Sequence, residues 1–254
     1  MDKRVQGVIL GMVAGDAYLN VRERLRDGKY PYVSSEMRVL HSTQQQAYCE
    51  FKCALMNKLL GTNASVTLVS NGPGGKYKAA QFSVSHPYFK LMKNWCYPEG
   101  RKMFNQLWLD HMTPEGIALW YMDDGHARRN LNRDGQTSSV ATSIATCCSK
   151  AEANLVCDWF RGVHKIGFKP FREKGNWSIQ ANTAETRQFV HLVQPYIVEP
   201  MLYKISHVAD LNSHECRAPI GKCECGARIF DMRRKGLCTA CYSRRYYREV
   251  VRFR

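Results

Sequence analysis

The strongest constraint on this chain is that it contains one unit twice. Residues 7–16 read GVILGMVAGD, and 108 positions later residues 115–124 read EGIALWYMDD. Val5, Val8, Ile9, Met12 and Val13 recur at helical spacing in the first segment. Ile117, Trp120 and Tyr121 do so in the second, with Ala118 and Met122 widening the stripe. Thr113, Pro114 and Glu115 supply the second helix with an N-cap, a proline at the first helical position and a first-turn acid. Both helices run out at an acidic residue, Asp16 and Asp124. Gly7, Gly11, Ala14 and Gly15 leave the first helix a smooth face that permits close approach of another.

The flanks repeat as well. Each helix leads into an Arg-rich loop that reaches Arg-Asp-Gly, at 26–28 and 133–135, and Asp-Gly is a hairpin signal. Strands are predicted over 33–41 and 138–146, and helices over 43–60 and 149–166. Ser149-Lys150-Ala151-Glu152 resembles a capping box, and Gly61 and Gly167 stand where a C-cap glycine would. Strand pairs follow at 64–70 with 78–86 and at 168–172 with 177–183. Short helices over 87–95 and 184–196 close the halves. The reading is an α+β fold of two pseudo-symmetric αββαββα halves, 1–105 and 106–212.

An Asp at a helix C-terminus faces the negative end of the macrodipole, at a cost of about 0.3–1 kcal/mol. Two at matching places in two repeats need a reason. Packed side by side, the apolar helices bring Asp16 and Asp124 together at one end, where they repel unless a cation lies between them. Oxygen ligands with open coordination positions suit Mg²⁺. With a basic surface beside them, the paired acids point to metal-assisted phosphodiester hydrolysis.

The runs GMVAGDAYL (11–19) and LWYMDDGHA (119–127) resemble the two signature helices of LAGLIDADG homing endonucleases. The second resembles the form seen in intron-encoded single-chain members, and the resemblance covers roughly residues 5–207. It implies that the paired helices join the two halves of a monomer. It also implies that the last acid of each motif, Asp16 and Asp124, binds the catalytic Mg²⁺ (or Mn²⁺). Asp123 stands where Gly15 stands in the first copy, and this pair is expected to support the metal ligands from behind or through the backbone. Members often place one basic residue from each half near the scissile phosphates. Lys102 and Lys204 are the matching candidates.

The same resemblance implies a saddle of strands lying along the major groove of double-stranded DNA. Alternation puts Gln81, Ser83 and Ser85 opposite Phe82 and Val84, and Ser178, Gln180 and Asn182 opposite Trp177, Ile179 and Ala181. Gln and Asn pair with adenine edges, Arg with guanine. Gln81, Gln180 and Asn182 are therefore candidate base readers. Arg22, Arg24, Arg26, Arg128, Arg129 and Arg133 on the loops are candidates for phosphates or guanines. Lys76, in the glycine-rich tip 71–76, and nearby Lys78 complete the set.

The charge balance agrees. Lys and Arg number 37 against 22 Asp and Glu, a net +15, which points to a polyanionic partner. No apolar stretch approaches the ~18–20 residues of a spanning helix, and the short apolar run at 7–14 is not a signal peptide. The chain is thus expected to act inside the cell with the DNA, in cytoplasm, nucleoid or organelle matrix, and to keep its cysteines as thiols or metal ligands. Cys49, Cys53, Cys96, Cys147, Cys148, Cys157 and Cys216 read as small buried residues.

Residues 217–254 hold 11 basic and 3 acidic residues, a net +8, so the rest of the chain carries +7. Cys223 and Cys225 pair closely, as do Cys238 and Cys241, twelve residues on. Four thiolates so spaced suit tetrahedral Zn²⁺, and a short charged segment needs such a metal to fold. This tail, a zinc module with Arg244, Arg245 and Arg248 as DNA-backbone contacts, lies outside the two-motif unit. The reading is a site-specific, Mg²⁺-dependent double-strand homing endonuclease with a long asymmetric target. An RNA-binding maturase for its own intron RNA, a non-cleaving DNA-binding regulator and a zinc-dependent interaction module stand beside it.

Overall fold

The computed structural model describes residues 2–26, 30–72, 75–131, 137–173, 175–206, 208, 221–222, 228–229 and 241; at 23–26, 30–32, 221–222 and 228–229 it describes the backbone alone. The backbone forms two compact units, Met1–Val208 and Ala209–Arg254.

In the first unit, half one runs α1 (Lys3–Ala14), β1 (Tyr18–Arg26), β2 (Tyr30–Ser42), α2 (Gln46–Leu60), β3 (Thr67–Asn71), β4 (Tyr77–Ser85) and α3 (Tyr88–Cys96). A short α4 (Gln106–Asp110) links to half two: α5 (Pro114–Asp124), β5 (Gly125–Leu131), β6 (Thr137–Cys148), α6 (Lys150–Trp159), β7 (Lys169–Glu173), β8 (Asn176–Ala181) and α7 (Thr183–Val193). Each half carries a four-stranded antiparallel sheet, ordered β1-β2-β4-β3 and β5-β6-β8-β7. In the second unit two short strands, β9 (Gly221–Lys222) and β10 (Arg228–Ile229), pair antiparallel.

Helices α1 and α5 are apolar on nearly every side, and Val8 to Ala14 and Gly116 to Met122 are all buried. Such a helix belongs at the centre of a core. Asp2 caps α1, its carboxylate accepting from the Arg4 N–H at 2.6 Å. Thr113 caps α5, accepting from the Gly116 N–H at 3.2 Å. The two run parallel and touch through backbone: a Cβ at Gly11 would overlap the Gly116 carbonyl, and one at Gly7 would overlap Thr113. Arg4 and Glu115 pair across the N-terminal end at 2.7 Å. Each sheet packs one face on helices, with Leu19, Met37, Val39, Phe82 and Val84 buried in half one and Val140, Ile144, Ile179 and Ala181 in half two.

Four expectations need correction. The Arg-rich segments after the signature helices are strands, not loops. Arg22, Arg24 and Arg26 pair with Ser34, Tyr32 and Tyr30, and Arg128 and Arg129 with Ala141 and Val140; cross-strand hydrogen bonding outweighs the weak strand preference of charged residues. Gly167 is not the C-cap of α6. The helix passes through a π-helical turn, Phe160–His164, and Lys165 takes the left-handed position at φ 60°. Gly167 instead donates its N–H to Glu185 at 2.6 Å. Asn182 does not continue β8: its side chain accepts from the Glu185 N–H at 3.1 Å and caps α7. Of the scattered cysteines, Cys49, Cys53, Cys96 and Cys157 are buried, but Cys147 is exposed at φ 48°, where the β6–β8 ladder shifts; Cys216 lies outside the described residues.

Candidate active site

The parallel packing brings the C-terminal ends of α1 and α5 together. Asp124 ends α5, and Asp16 follows the Gly15 cap of α1. Two parallel dipoles end here beside three carboxylates, and both lysines singled out above answer that charge. Lys102 donates to the carbonyls of Val13, Ala14 and Gly15 at 3.2, 3.1 and 3.1 Å. Lys204 donates to the carbonyls of Asp123 and Gly125 at 3.0 and 2.7 Å. Each ammonium thus caps one helix end, where a cation is stabilising. An ammonium has three N–H donors, so Lys102 uses all of them on backbone, while among the described residues Lys204 uses two.

Burial pushes the Asp124 carboxyl up to about 7, with the negative charges of Asp16 and Asp123 adding to it against Lys102 and Lys204. Asp16 is raised by partial burial and then by Asp123, opposed by Lys52, Lys102 and Lys204. Its side chain is still 43% exposed. Lys204 is lowered by burial, against the pull of the three acids.

Asp123 is different. Its carboxylate is fully buried and both oxygens accept from Lys52 Nζ, at 2.6 and 2.7 Å, with Lys52 equally buried. One of those oxygens also accepts from the Asp16 backbone N–H at 3.1 Å. Gly15 permits this, since a Cβ there would overlap the Asp123 carboxylate. His41 completes the group. Its Nε2 lies 3.1 Å from Lys52 Nζ and its Nδ1 3.5 Å from an Asp16 oxygen. Burial first, then Lys52, holds the imidazole down at about 4, so it is neutral at physiological pH. Asp16, His41 and Asp123 offer ligand atoms within 4.8 Å of one another.

Asp16 and Asp124 offer carboxylate oxygens, the donor type that a hard divalent cation takes. Burial first, and then the neighbouring carboxylates, raise the proton affinity of both, while the Asp123 carboxylate is paired with Lys52. Neither His41 nor Lys52 was singled out from the sequence. The signal was present: His41 falls on the inward phase of β2 with Met37 and Val39, and Lys52 lies in the buried stripe of α2 with Tyr48, Cys49 and Met56. A lysine in such a stripe calls for a buried acid.

Away from the helices the two sheets present their other faces. In half one, Asn20, Glu36, Arg38, Gln81 and Ser83 share that face; Glu36 accepts from Asn20 at 3.2 Å, Arg38 at 3.1 Å and Ser83 at 3.3 Å. Arg22 shares this face and is exposed. In half two, His126, Arg128, Ser143 and Gln180 line a shallow pocket with Phe171 and Glu173. Lys78 and Arg129 alternate onto the opposite faces of their strands, and Lys76 is exposed just before β4. The side chains of Arg24 and Arg26 are not described. Arg133, Cys223, Cys225, Cys238, Arg244, Arg245 and Arg248 lie outside the described residues, while Cys241 is half-buried. Among the described residues no helix is long and apolar enough to cross a membrane.

Comparison with known proteins agrees with this architecture. The RecA protein of Mycobacterium shimoidei is 28% identical over 204 residues, covering 78% of this chain and 45% of that protein. The RecA protein of Mycobacterium gastri is 27% identical over 205 residues, with 46% of its length covered. The chain therefore spans less than half the length of these relatives. A probable intron-encoded DNA endonuclease of Mycosarcoma maydis is 27% identical over 103 residues, 38% of this chain and 66% of that one. Among solved structures, the homing endonuclease I-WcaI bound to its DNA recognition sequence superposes with a TM-score of 0.63 at 19% identity, covering 80% of this chain and 86% of that one. The meganuclease I-SmaMI, also bound to DNA, gives 0.52 at 10% identity, covering 84% and 92%. The two solved structures share the fold of this chain. The profile of the LAGLIDADG DNA endonuclease family matches residues 6–189, a span that takes in both signature helices and both sheets, and so this chain belongs to that family.

Proposed function

We propose that this protein is a site-specific endodeoxyribonuclease that cuts both strands of a long asymmetric target as a monomer, with Mg²⁺ or Mn²⁺ at Asp16 and Asp124. The observation that supports the reading is that Asp16 and Asp124 stand at the adjoining C-terminal ends of one parallel helix pair, with a polar and basic face on each of the two sheets. When bound, the cation polarises the scissile phosphate and lowers the pKa of an attacking water. Asp16 and Asp124 hold it. Lys204, with one N–H left over, donates to a phosphate oxygen on which charge develops. Arg22, Arg38 and Arg128 bind phosphates or guanines, and Gln81 and Gln180 read base edges. Because the two halves carry different residues on these faces, the target they read is asymmetric.

The basic C-terminal segment is proposed to hold one Zn²⁺ on Cys223, Cys225, Cys238 and Cys241 and to bind DNA backbone through Arg244, Arg245 and Arg248. Metal analysis of freshly reduced protein tests this: one zinc per chain is expected, lost in Cys238→Ser, and its absence would remove the zinc module from the reading.

The test of the nuclease is cleavage of a randomised plasmid library with and without Mg²⁺. Asp16→Asn and Asp124→Asn should each abolish double-strand cleavage and leave DNA binding largely intact. Normal cutting by either variant would overturn the assignment.

A further inference from the structure

The geometry points to His41 and Lys52 as positioning residues that hold Asp16 through a relay, Asp123–Lys52–His41–Asp16, that has no counterpart among the described residues of half two. The inference rests on the reading of Asp16 as a metal ligand and adds that the two acids are unequal.

The relay follows from hydrogen-bond chemistry. A lysine ammonium only donates. Lys52 gives two bonds to Asp123 and lies 3.1 Å from His41 Nε2, so that nitrogen accepts. In a neutral imidazole the other nitrogen, Nδ1, then carries the proton. Nδ1 lies 3.5 Å from Asp16 Oδ2, a contact that a small shift of either side chain closes to a hydrogen bond, and the Gln45 side chain also bonds the ring. His41 therefore presents a donor to Asp16 and has no lone pair left for a metal. It fixes the ligand and does not join it. Asp123 closes the circuit by accepting the Asp16 backbone N–H.

Among the described residues the second half has no counterpart. Tyr18 pairs with Arg38 as His126 pairs with Ser143, so Thr146 occupies the place of His41. Thr146 turns away, donating to the Trp177 carbonyl at 2.7 Å. The buried stripe 48, 49, 52, 53, 55, 56 of half one matches 152, 153, 156, 157, 159, 160 of half two, which puts Val156 in the place of Lys52. No hydrogen bond to the Asp124 carboxylate occurs among the described residues. Groups that orient a metal ligand from behind typically matter 10–100-fold in affinity or activity. One acid is held and the other is not, so the two strands are cut at different rates, each sensitive to a different set of residues.

The experiment compares wild type, His41→Ala and His41→Asn, since an asparagine amide N–H can stand where Nδ1–H stood. Three readings are taken at pH 8: the imidazole tautomer by long-range ¹H–¹⁵N NMR of the whole chain, Mn²⁺ affinity by electron paramagnetic resonance, and strand-resolved nicking of a duplex selected by the wild type. His41 is expected as the Nδ1–H tautomer. His41→Ala should weaken Mn²⁺ binding and slow one strand by roughly 10–100-fold, leave the other within threefold, and accumulate one defined nick. His41→Asn should recover most of both. An Nε2–H tautomer, equal slowing of both strands, or an asparagine variant as poor as alanine would overturn the relay. A wild type that binds Mn²⁺ but cuts no duplex would sink the nuclease reading, and the tautomer and Mn²⁺ affinities would still decide the relay.

Discussion

Lys52, on a helix of the first half, holds both carboxylate oxygens of Asp123, on the central helix of the second, at 2.6 and 2.7 Å, and neither side chain touches solvent. A buried pair of this kind ties the halves together at the point where the two central helices end. Beside it the Tyr48 hydroxyl donates to the Leu119 carbonyl at 3.3 Å, again across the halves.

Breaking such a pair by removing one partner leaves an uncompensated buried charge. Lys52→Met should therefore destabilise the protein by about 3–5 kcal/mol. Removing the orphaned charge as well should recover part of that loss, so Lys52→Met/Asp123→Asn should lose less than the two single variants together. Thermal unfolding of the four proteins checks this. Strictly additive losses would show that the two charges do not depend on each other.

The contact between the central helices is equally specific. Gly11→Ala puts a Cβ into the Gly116 carbonyl, and backbone cannot step aside as a side chain can. The helices must separate, at a cost of roughly 1–3 kcal/mol or more. Gly162→Ala, on a helical turn with open space around it, is the control and should be neutral or slightly stabilising. If Gly11→Ala melts with the wild type, the close approach of the helices is not needed for the fold.

The raised Asp124 carboxyl predicts a pH dependence of the metal-free protein. Its folded value of about 7 lies above the unfolded value near 3.8, so between those limits the folded state binds more protons. Its contribution to stability is fully present below pH 4 and is lost as pH rises through 7. Asp124→Asn should remove this dependence and, at pH 8 without metal, melt above the wild type, by roughly 2–4 °C for each 1 kcal/mol that the ionised carboxylate costs after solvent screening. Adding Mg²⁺ should stabilise the wild type more than the variant. Melting temperatures across pH 5–8 in chelator and in Mg²⁺ decide it. A variant that is less stable at pH 8 would mean that the carboxylate has a favourable partner in the folded state.

Much of this arrangement was legible in the chain itself. The repeat, the apolar helices, the Thr113 cap and the two terminal acids are local signals, carried by spacing and by caps within a few residues. What escaped is non-local. Arg22 to Arg26 read as a loop because charged runs disfavour strands in isolation, and only pairing with 30–34 makes them one. Asn182 alternates with the strand before it, yet its side chain serves the helix after it. Lys52 and Asp123 are 71 residues apart, and nothing local to either names the other as its partner. The stripe in which Lys52 sits was visible, but its partner is fixed only when the halves dock.

The two capping lysines give the last prediction, because they are not equivalent. Lys102 spends its three donors on the Val13, Ala14 and Gly15 carbonyls, while Lys204 gives two, to Asp123 and Gly125. Of the two, and counting bonds among the described residues, Lys204 retains an N–H for a phosphate. A point charge that meets charge developing in the transition state lowers the barrier more than it strengthens ground-state binding. Lys204→Met should therefore leave DNA affinity within a few-fold and slow cleavage by on the order of 10–1000-fold. Lys102→Met should act mainly through the loss of a helix-end charge, about 0.3–1 kcal/mol of stability, with a smaller effect on rate. A time course on supercoiled plasmid carrying the selected site reads both. Nicked circle should accumulate with Lys204→Met, since one strand suffers more than the other. Equal rates for the two variants, at equal melting temperatures, would mean that the spare N–H of Lys204 does not reach the reacting phosphate, and its role would then be confined to the end of the helix it caps.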